Sequence, residues 1–318
     1  MNRCRFRCMS LLAFFLLFAQ VLVSYAADMK PEEVVAKSLD AVGTAQARAS
    51  AKSRVVESAV EYRILVGGAG YLDGKGVLVS QDDKMQFMMK LNNNLYRGEQ
   101  FIYDGRDYQI ARTTANQQRS SFGEFVQVQG AVLKDGLFGG VLSTAWPLYD
   151  LDHHKVKLSY AGIKKVDGND AIELHYSSKK DGDMDISLFF DAQTFRHIET
   201  VYFVRVRAQL GNTNPLAASI DAPGTPSPSS PDSFGGPTGP VGGVSNEVAT
   251  ARQQESRYRL EEHFSDFKTA DGLTLPTKYV IHYSQELGNG RTTVSEWTMT
   301  ANNIMNGTGV DARNFQLK

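Results

Sequence analysis

Hydrophobic and polar residues alternate over Lys84–Leu91. One face of an extended chain there is wholly apolar, formed by Met85, Phe87, Met89 and Leu91. The positions between them include Lys84, Gln86 and Lys90. Since successive side chains of a strand point to opposite sides of its sheet, the pattern predicts a strand with one apolar side.

The same period of two recurs in short runs along most of the chain. The runs are divided by pairs typical of tight turns: Gly67-Gly68, Asp73-Gly74, Asp104-Gly105, Asp167-Gly168, Asp181-Gly182 and Asp271-Gly272. Such closely spaced strands join as local hairpins. We therefore expect a mainly β (α+β) protein whose antiparallel meander contains about eleven strands.

Two segments have helical spacing instead. Pro31 fits a first helical position, apolar residues recur at helical intervals after it, and Gly43 ends the pattern. Apolar pairs also repeat from Leu137 to Trp146, which predicts a second, mid-chain helix ending before Pro147. Three glycines within or next to this segment weaken it, so a loosely held lid and a closely packed core helix are both open interpretations.

The composition changes sharply over residues 211 to 243. This stretch holds seven of the ten prolines of the chain, and its apolar content is too low to offset the cost of ordering. The three strands predicted after it, over 258–267, 273–284 and 292–304, make a poor core by themselves. We therefore predict one domain, 27–318, interrupted by a disordered Pro/Gly-rich insertion at 211–250.

The first 26 residues have the features of an export signal. Arginines precede an apolar run from Leu11 to Val23, and the segment closes on Ser24-Tyr25-Ala26. A run of about thirteen residues is short for a membrane span, so we expect cleavage after Ala26 and a periplasmic protein. The only cysteines, Cys4 and Cys8, precede the cut, which leaves the mature chain without disulfides or thiolates.

Little in the sequence indicates catalysis or nucleic-acid binding. The formal net charge is -1, and the chain has no nucleophile elbow, His-Glu-x-x-His motif, phosphate loop or dinucleotide fingerprint. His153 and His154 would point to opposite faces of a strand, and no third ligand is evident. Asp181, Asp183 and Asp185 suit a solvated hairpin turn. We therefore predict no enzyme activity, no metal and no cofactor.

Several features together resemble a known family. They are the signal, the N-terminal helix, the long meander, the apolar segment midway, and Asp271-Gly272-Leu273-Thr274-Leu275-Pro276 followed by a last strand and Asn306. The segment Phe189–Phe195 adds a Phe-Asp turn that opens a late strand. This combination is similar to the outer-membrane lipoprotein carrier and sorting family, the LolA/LolB-like fold, over nearly all of the mature chain.

The resemblance implies a strongly curved, incomplete barrel with an apolar concave face plugged by the two helices. Periplasmic carriers of the family hold the acyl chains of lipoproteins there, pass them between membrane-bound partners, and have no enzyme activity. They use an arginine on an early strand to hold the lid. Arg54 and Arg63 both lie in that region, and their neighbours do not decide between them.

We therefore predict a monomeric periplasmic chaperone-like carrier that transports a lipoprotein acyl chain or another lipid. Binding would occur by burial and displacement of the plug, without a covalent step. The alternative is a module that senses lipid or lipoprotein and acts through a protein partner. The candidate lining residues are Met85, Phe87, Met89 and Leu91 on one strand, with Phe138, Leu142 and Trp146 on the plug. Ordinary core packing is an equally open interpretation of the methionines.

Overall fold

The computed structural model describes residues 29–114, 119–177, 184–206 and 255–317. Its main element is one sheet of twelve strands, all pairing antiparallel, in the order β5-β4-β3-β2-β1-β12-β11-β10-β9-β8-β7-β6. The strands are β1 Ser53–Val66, β2 Gly70–Gln81, β3 Lys84–Leu91, β4 Glu99–Tyr103, β5 Tyr108–Arg112, β6 Lys157–Val166, β7 Asn169–Ser177, β8 Met184–Asp191, β9 His197–Val206, β10 Ser256–Ala270, β11 Leu273–Glu286 and β12 Thr292–Asn306.

The helices are few and short. They are α1 Pro31–Val42, α2 Ala45–Ser50, α3 Ser121–Val128, α4 Ala131–Lys134 and α5 Leu151–His154, with 3-10 turns at Gly140–Leu142, Pro147–Tyr149 and Ala312–Phe315. The N-terminal helix predicted to begin at Pro31 and end before Gly43 is confirmed. Within the described ranges, no helix combines the length and apolar character needed to cross a bilayer.

The strand order determines where the middle of the chain must run. β1 and β12 pair in the interior of the sheet, whereas β5 and β6 lie at its opposite edges. The chain between these edge strands, residues 113–156, therefore has to cross from one edge to the other. Its described part carries α3, α4 and α5, and most of its apolar side chains are buried against the sheet. We call residues 136–149 of this crossover the plug segment.

Side-chain contacts show how strongly the sheet curves. Phe87 on β3 and Tyr279 on β11 are four strand spacings apart, which is about 19 Å in a flat sheet. Their ring centroids are only 6.3 Å apart. The sheet therefore wraps around its apolar face, while its edge strands β5 and β6 are not paired with each other. This confirms the predicted open, curved sheet, with twelve described strands instead of about eleven.

Several sequence predictions lie partly or wholly outside the described residues. These are the signal segment, the Asp181-Gly182 turn and the Pro/Gly-rich insertion. The strands on either side of residues 207–254, β9 and β10, are hydrogen-bonded neighbours in the sheet. The division into a signal, a single domain and an insertion stays a prediction.

One predicted turn is wrong. Asp73-Gly74 lies in the middle of β2, where Gly74 pairs with Leu91 of β3. A Cβ atom at Gly74 would lie 2.0 Å from the carbonyl oxygen of Lys90. The glycine therefore permits a close approach of two strands instead of a reversal of the chain.

The continuous helix predicted over Leu137–Trp146 is also wrong. Of the crossover helices, α3 and α4 end before this segment and α5 begins after it, so the segment contains only the 3-10 turn Gly140–Leu142. Gly136, Gly139 and Gly140 have φ angles of +71°, +81° and +46°. These left-handed conformations interrupt a right-handed helix.

Candidate functional site

The structure brings all seven predicted lining residues into one buried apolar cluster. Met85, Phe87, Met89 and Leu91 are buried on β3, and Phe138, Leu142 and Trp146 are buried in the plug segment. The two groups touch directly, since the rings of Phe87 and Phe138 are 5.6 Å apart. A role of these residues in ligand binding stays a prediction.

Phe138 occupies the centre of an aromatic cluster. Besides Phe87, its ring lies 5.7 Å from that of Phe101 on β4, 6.0 Å from Phe122 on α3, and 6.4 Å from Tyr279 on β11. Side chains from opposite parts of the curved sheet therefore meet on one plug residue. Burial of such rings contributes much of the energy of an apolar core.

Trp146 packs against a different wall of the concave face. Its ring stacks on His197 of β9, with centroids 5.0 Å apart, and His197 in turn lies 4.8 Å from the ring of Phe264 on β10. Burial lowers the pKa of His197 to about 3. The imidazole is therefore neutral near neutral pH, and it contributes to the site as a flat, largely apolar surface.

Little free space remains beside Leu142, where the plug faces the middle of the sheet. The cavity beside Leu142, bounded by Leu78, Phe87, Tyr279 and Met299 among others, measures about 10 Å³. A water molecule needs roughly 10–15 Å³ by the same kind of measure. An occupant of the size of an acyl chain would therefore fit this part of the concave face only if plug side chains left it.

The first polar anchor of the plug is Glu262 on β10. Its carboxylate is buried and accepts a hydrogen bond of 2.7 Å from the backbone N–H of Gly139. The hydroxyls of Tyr202 and Tyr279 also donate to it. Burial raises the pKa of Glu262 to about 7, against the opposing effect of these three donors.

The second anchor is Arg54 on β1, whose side chain is buried. Its Nη1 donates to the carbonyl oxygen of Val141 at 2.7 Å, and its Nε donates to Oδ1 of Asn306 at 2.7 Å. The hydroxyl of Tyr149 donates to the same carbonyl at 3.0 Å. Arg63 instead points its guanidinium to the exposed carboxylate of Glu61. Of the two early-strand arginines, Arg54 is the one that contacts the plug.

The third anchor is Ser80 on β2, which is fully buried. Its Oγ accepts a hydrogen bond of 2.9 Å from the backbone N–H of Thr144. The Thr144 hydroxyl donates to the carbonyl oxygen of Asp82 at 3.3 Å. The three anchors thus bind backbone groups of residues 139, 141 and 144, and apolar packing supplies most of the remaining contact.

A fourth buried group fixes the helix that leads into the plug. Glu99 on β4 accepts hydrogen bonds from the backbone N–H of Ser120 at 2.9 Å and from its hydroxyl at 2.5 Å. Tyr96 donates to the same carboxylate at 2.9 Å. Ser120 is the N-cap of α3, so Glu99 binds the residue at which that helix begins.

Sequence reasoning missed the roles of Glu99 and Glu262 and left Arg54 unassigned. A signal was nevertheless present, because each of these ionisable residues occupies a buried position on a strand. Glu262 alternates with the buried Leu260 and Phe264, and Arg54 precedes the buried Val56 by two residues. A charge on the apolar side of a predicted strand indicates a buried polar contact, although not its partner.

Comparisons with known proteins find similarity of structure only. No protein-family model and no curated protein matches the sequence. A LolA superfamily protein from Nitrosomonas europaea is 11% identical, with 91% of this chain and 98% of that chain covered and a TM-score of 0.44. A putative outer membrane lipoprotein-sorting protein domain from Vibrio parahaemolyticus is 11% identical, with 88% and 97% covered and a TM-score of 0.38. A DUF1329 family protein from Desulfovibrio piger is 10% identical, with 91% and 98% covered and a TM-score of 0.38. The solved structures that match thus include a protein of the LolA superfamily, the family that the sequence resembles.

Proposed function

We propose that this protein is a non-enzymatic periplasmic carrier that binds an acyl chain, of a lipoprotein or another lipid, on the concave face of its sheet. The observation that supports this most directly is the plug segment. It fills the apolar concavity and is not a strand of the sheet. Because no strand pairing depends on the plug, it can move aside while the sheet stays intact.

The chemistry of the interior suits such an exchange. Burying an acyl chain contributes about 0.8 kcal/mol of hydrophobic free energy per methylene. Displacing Phe138, Leu142 and Trp146 from the sheet loses hydrophobic free energy in the same way. One apolar occupant would replace another, so the net free energy of binding is small enough for release. The unbranched side chains of Met85 and Met89 adapt to occupants of different shape.

The polar anchors also suit a plug that opens. When the plug leaves, Glu262 keeps the hydroxyls of Tyr202 and Tyr279, and Arg54 keeps the side chain of Asn306. Neither buried charge is left without a hydrogen-bonding partner, which limits the cost of opening. In this proposal Arg54 is the early-strand arginine that holds the lid.

A reversible lock on the plug tests the proposal. The backbone nitrogen of Thr144 lies 2.9 Å from Ser80 Oγ, so the two residues are in contact, and the pair Ser80→Cys and Thr144→Cys is designed to form a disulfide across that contact. The cysteines of the chain, Cys4 and Cys8, precede the predicted cleavage site and leave the mature protein free of competing thiols. The probe is a fluorescent palmitoylated lipopeptide.

The reduced double variant should bind the lipopeptide, and the oxidised form should not. Each single-cysteine variant, treated with the same oxidant, is the matched control and should bind throughout. Equal binding by the bridged and the reduced protein would contradict displacement of the plug. Delivery of the lipopeptide from donor to acceptor vesicles then tests carriage itself, because a sensing module would bind the probe without delivering it.

A further inference from the structure

An aspartate and a pair of adjacent histidines that is distant from it in the sequence meet at the end of the plug segment. Asp83 lies in the turn between β2 and β3, and His153 and His154 end α5, which follows the plug. Nε2 of His153 is 3.3 Å from one oxygen of the Asp83 carboxylate, and Nε2 of His154 is 3.6 Å from the other. The three side chains can offer ligand atoms that all lie within 4.8 Å of one another.

The local backbone explains why both imidazoles reach the same carboxylate. His153 and His154 lie on one helical turn, where neighbouring side chains are about 100° apart, and not on a strand as the sequence interpretation assumes. Their rings are edge to face with centroids 5.0 Å apart. The Asp150 side chain caps this turn by accepting a hydrogen bond of 3.0 Å from the His153 backbone N–H.

The donor atoms lie close enough together to share one metal ion. Ligand atoms about 2.1 Å from zinc in tetrahedral geometry lie about 3.4 Å apart. Each imidazole Nε2 is about that far from its own oxygen of the Asp83 carboxylate, 3.3 Å for His153 and 3.6 Å for His154, and one ligand atom from each of the three residues lies within 4.8 Å of the others. Two imidazoles and a carboxylate form a donor set typical of Zn²⁺ and similar borderline divalent ions. Three protein ligands leave the fourth position to water.

We propose that Asp83, His153 and His154 bind a divalent transition-metal ion such as Zn²⁺, and that the bound ion ties the end of the plug segment to the β2–β3 turn. The neighbouring residue, Asp82, already accepts a hydrogen bond from Thr144 of the plug through its carbonyl oxygen. A metal ion would add a second connection between the same two parts of the chain. This latch rests on the proposed function, because it regulates opening of the plug. Metal binding at the site does not depend on that function.

A second cluster with similar residue types is less suited to a metal. Glu261, His263 and His282 lie together on β10 and β11. There the Arg259 guanidinium donates to the Glu261 carboxylate, and Nδ1 of His282 is 3.2 Å from that carboxylate. A cation already neutralises this group, so we interpret it as an ion-pair cluster. It provides an internal control for the test.

Titration of the purified protein with Zn²⁺ tests the site. We expect one ion per chain, and at least about tenfold weaker binding in each of Asp83→Asn, His153→Ala and His154→Ala. His282→Ala and the exposed His175→Ala should bind Zn²⁺ like the unchanged protein. Melting curves without metal verify that each variant is folded. Undiminished binding in the three site variants, or loss of binding in His282→Ala, would overturn the proposal.

Hydrogen exchange over residues 137–149 tests the latch. If opening breaks the site, Zn²⁺ at ten times its dissociation constant should slow exchange through the open state about tenfold, and a chelator should reverse the effect. Uptake of the palmitoylated lipopeptide should slow by the same factor. Exchange that is unchanged by bound Zn²⁺ would overturn the latch. Failure to take up the lipopeptide even without metal would instead contradict the carrier function, so the two failures are distinguishable.

Discussion

Arg54 on β1 donates a hydrogen bond of 2.7 Å to the carbonyl oxygen of Val141 in the plug segment. Through its Nε the same guanidinium binds Asn306 at the end of β12. One buried side chain therefore connects the first strand, the last strand and the crossover between the two sheet edges. This arrangement makes the plug segment directly sensitive to substitution of Arg54.

Arg54→Met should loosen the plug more than it destabilises the sheet. The substitution removes both hydrogen bonds but keeps much of the apolar stem, so we expect a loss of about 1–3 kcal/mol in the free energy of unfolding. Hydrogen exchange at residues 139–145 should quicken beyond what this global loss explains. Arg63→Met, on the exposed end of the same strand, is the matched control and should change neither measurement. Equal exchange in the two variants would rule out Arg54 as a plug anchor.

The alternation of apolar and polar residues predicted the sheet well because it results from burial of one face of each strand. Lys84–Leu91 and the hairpin at Asp271-Gly272 illustrate this, since both the strand and the turn depend on residues close in sequence. The plug segment could not be predicted in the same way. Phe138 packs against β3, β4 and β11, and Trp146 packs on β9. A segment buried from several sides is apolar whatever its backbone conformation, so its spacing does not identify a helix.

In the candidate site, too, only the features that depend on local sequence could be predicted. The apolar residues Met85, Phe87 and Phe138 could be selected from the sequence, because burial alone identifies them. Their polar neighbours could not be paired, because the contacts of Arg54 with Val141 and of Glu262 with Gly139 join distant parts of the chain. Asp83 and the adjacent histidines are a further example, since their meeting depends on the path of the crossover.

Glu262→Gln should reduce the fall in stability that occurs as the pH rises. Burial raises the pKa of Glu262 to about 7, so between its ordinary pKa of 4.5 and this value the folded protein binds more protons than the unfolded chain. The contribution of Glu262 to the free energy of unfolding is therefore fully present below pH 4.5. It decreases as the pH rises towards 7, by at most about 1.4 kcal/mol per pH unit.

The groups facing Glu262 define the control for this experiment. Tyr202, Tyr279 and the Gly139 N–H donate to it, and the charge of His263 lowers its pKa. Burial also raises the pKa of Glu199, which adds a slope of the same sign in both proteins. The measurement is therefore the difference between urea-unfolding free energies of the two proteins from pH 4.5 to 7. A difference that does not change with pH would contradict a buried, titrating Glu262.

Glu99→Ala should be among the more damaging single substitutions of a charged residue. It leaves the Ser120 N–H, the Ser120 hydroxyl and the Tyr96 hydroxyl without their acceptor at a partly buried position. We expect a loss of about 2–4 kcal/mol in unfolding free energy. Glu57→Ala, at an exposed position of β1, should stay within about 0.5 kcal/mol of the unchanged protein. Similar losses from both substitutions would show that Glu99 does not hold α3 in place.

Gly139→Ala and Gly168→Ala form a pair that separates backbone strain from packing of the plug. The two glycines have nearly the same φ, +81° and +83°, so each substitution incurs a left-handed strain of about 1–2 kcal/mol. A Cβ at Gly139 would lie 2.8 Å from Cδ1 of the buried Leu78, whereas a Cβ at Gly168 meets no atom within 4 Å. Urea unfolding should therefore show an extra loss of about 1–3 kcal/mol for Gly139→Ala. If the two losses are equal, the plug yields to an added methyl group without cost, and close packing cannot be what keeps the concave face closed.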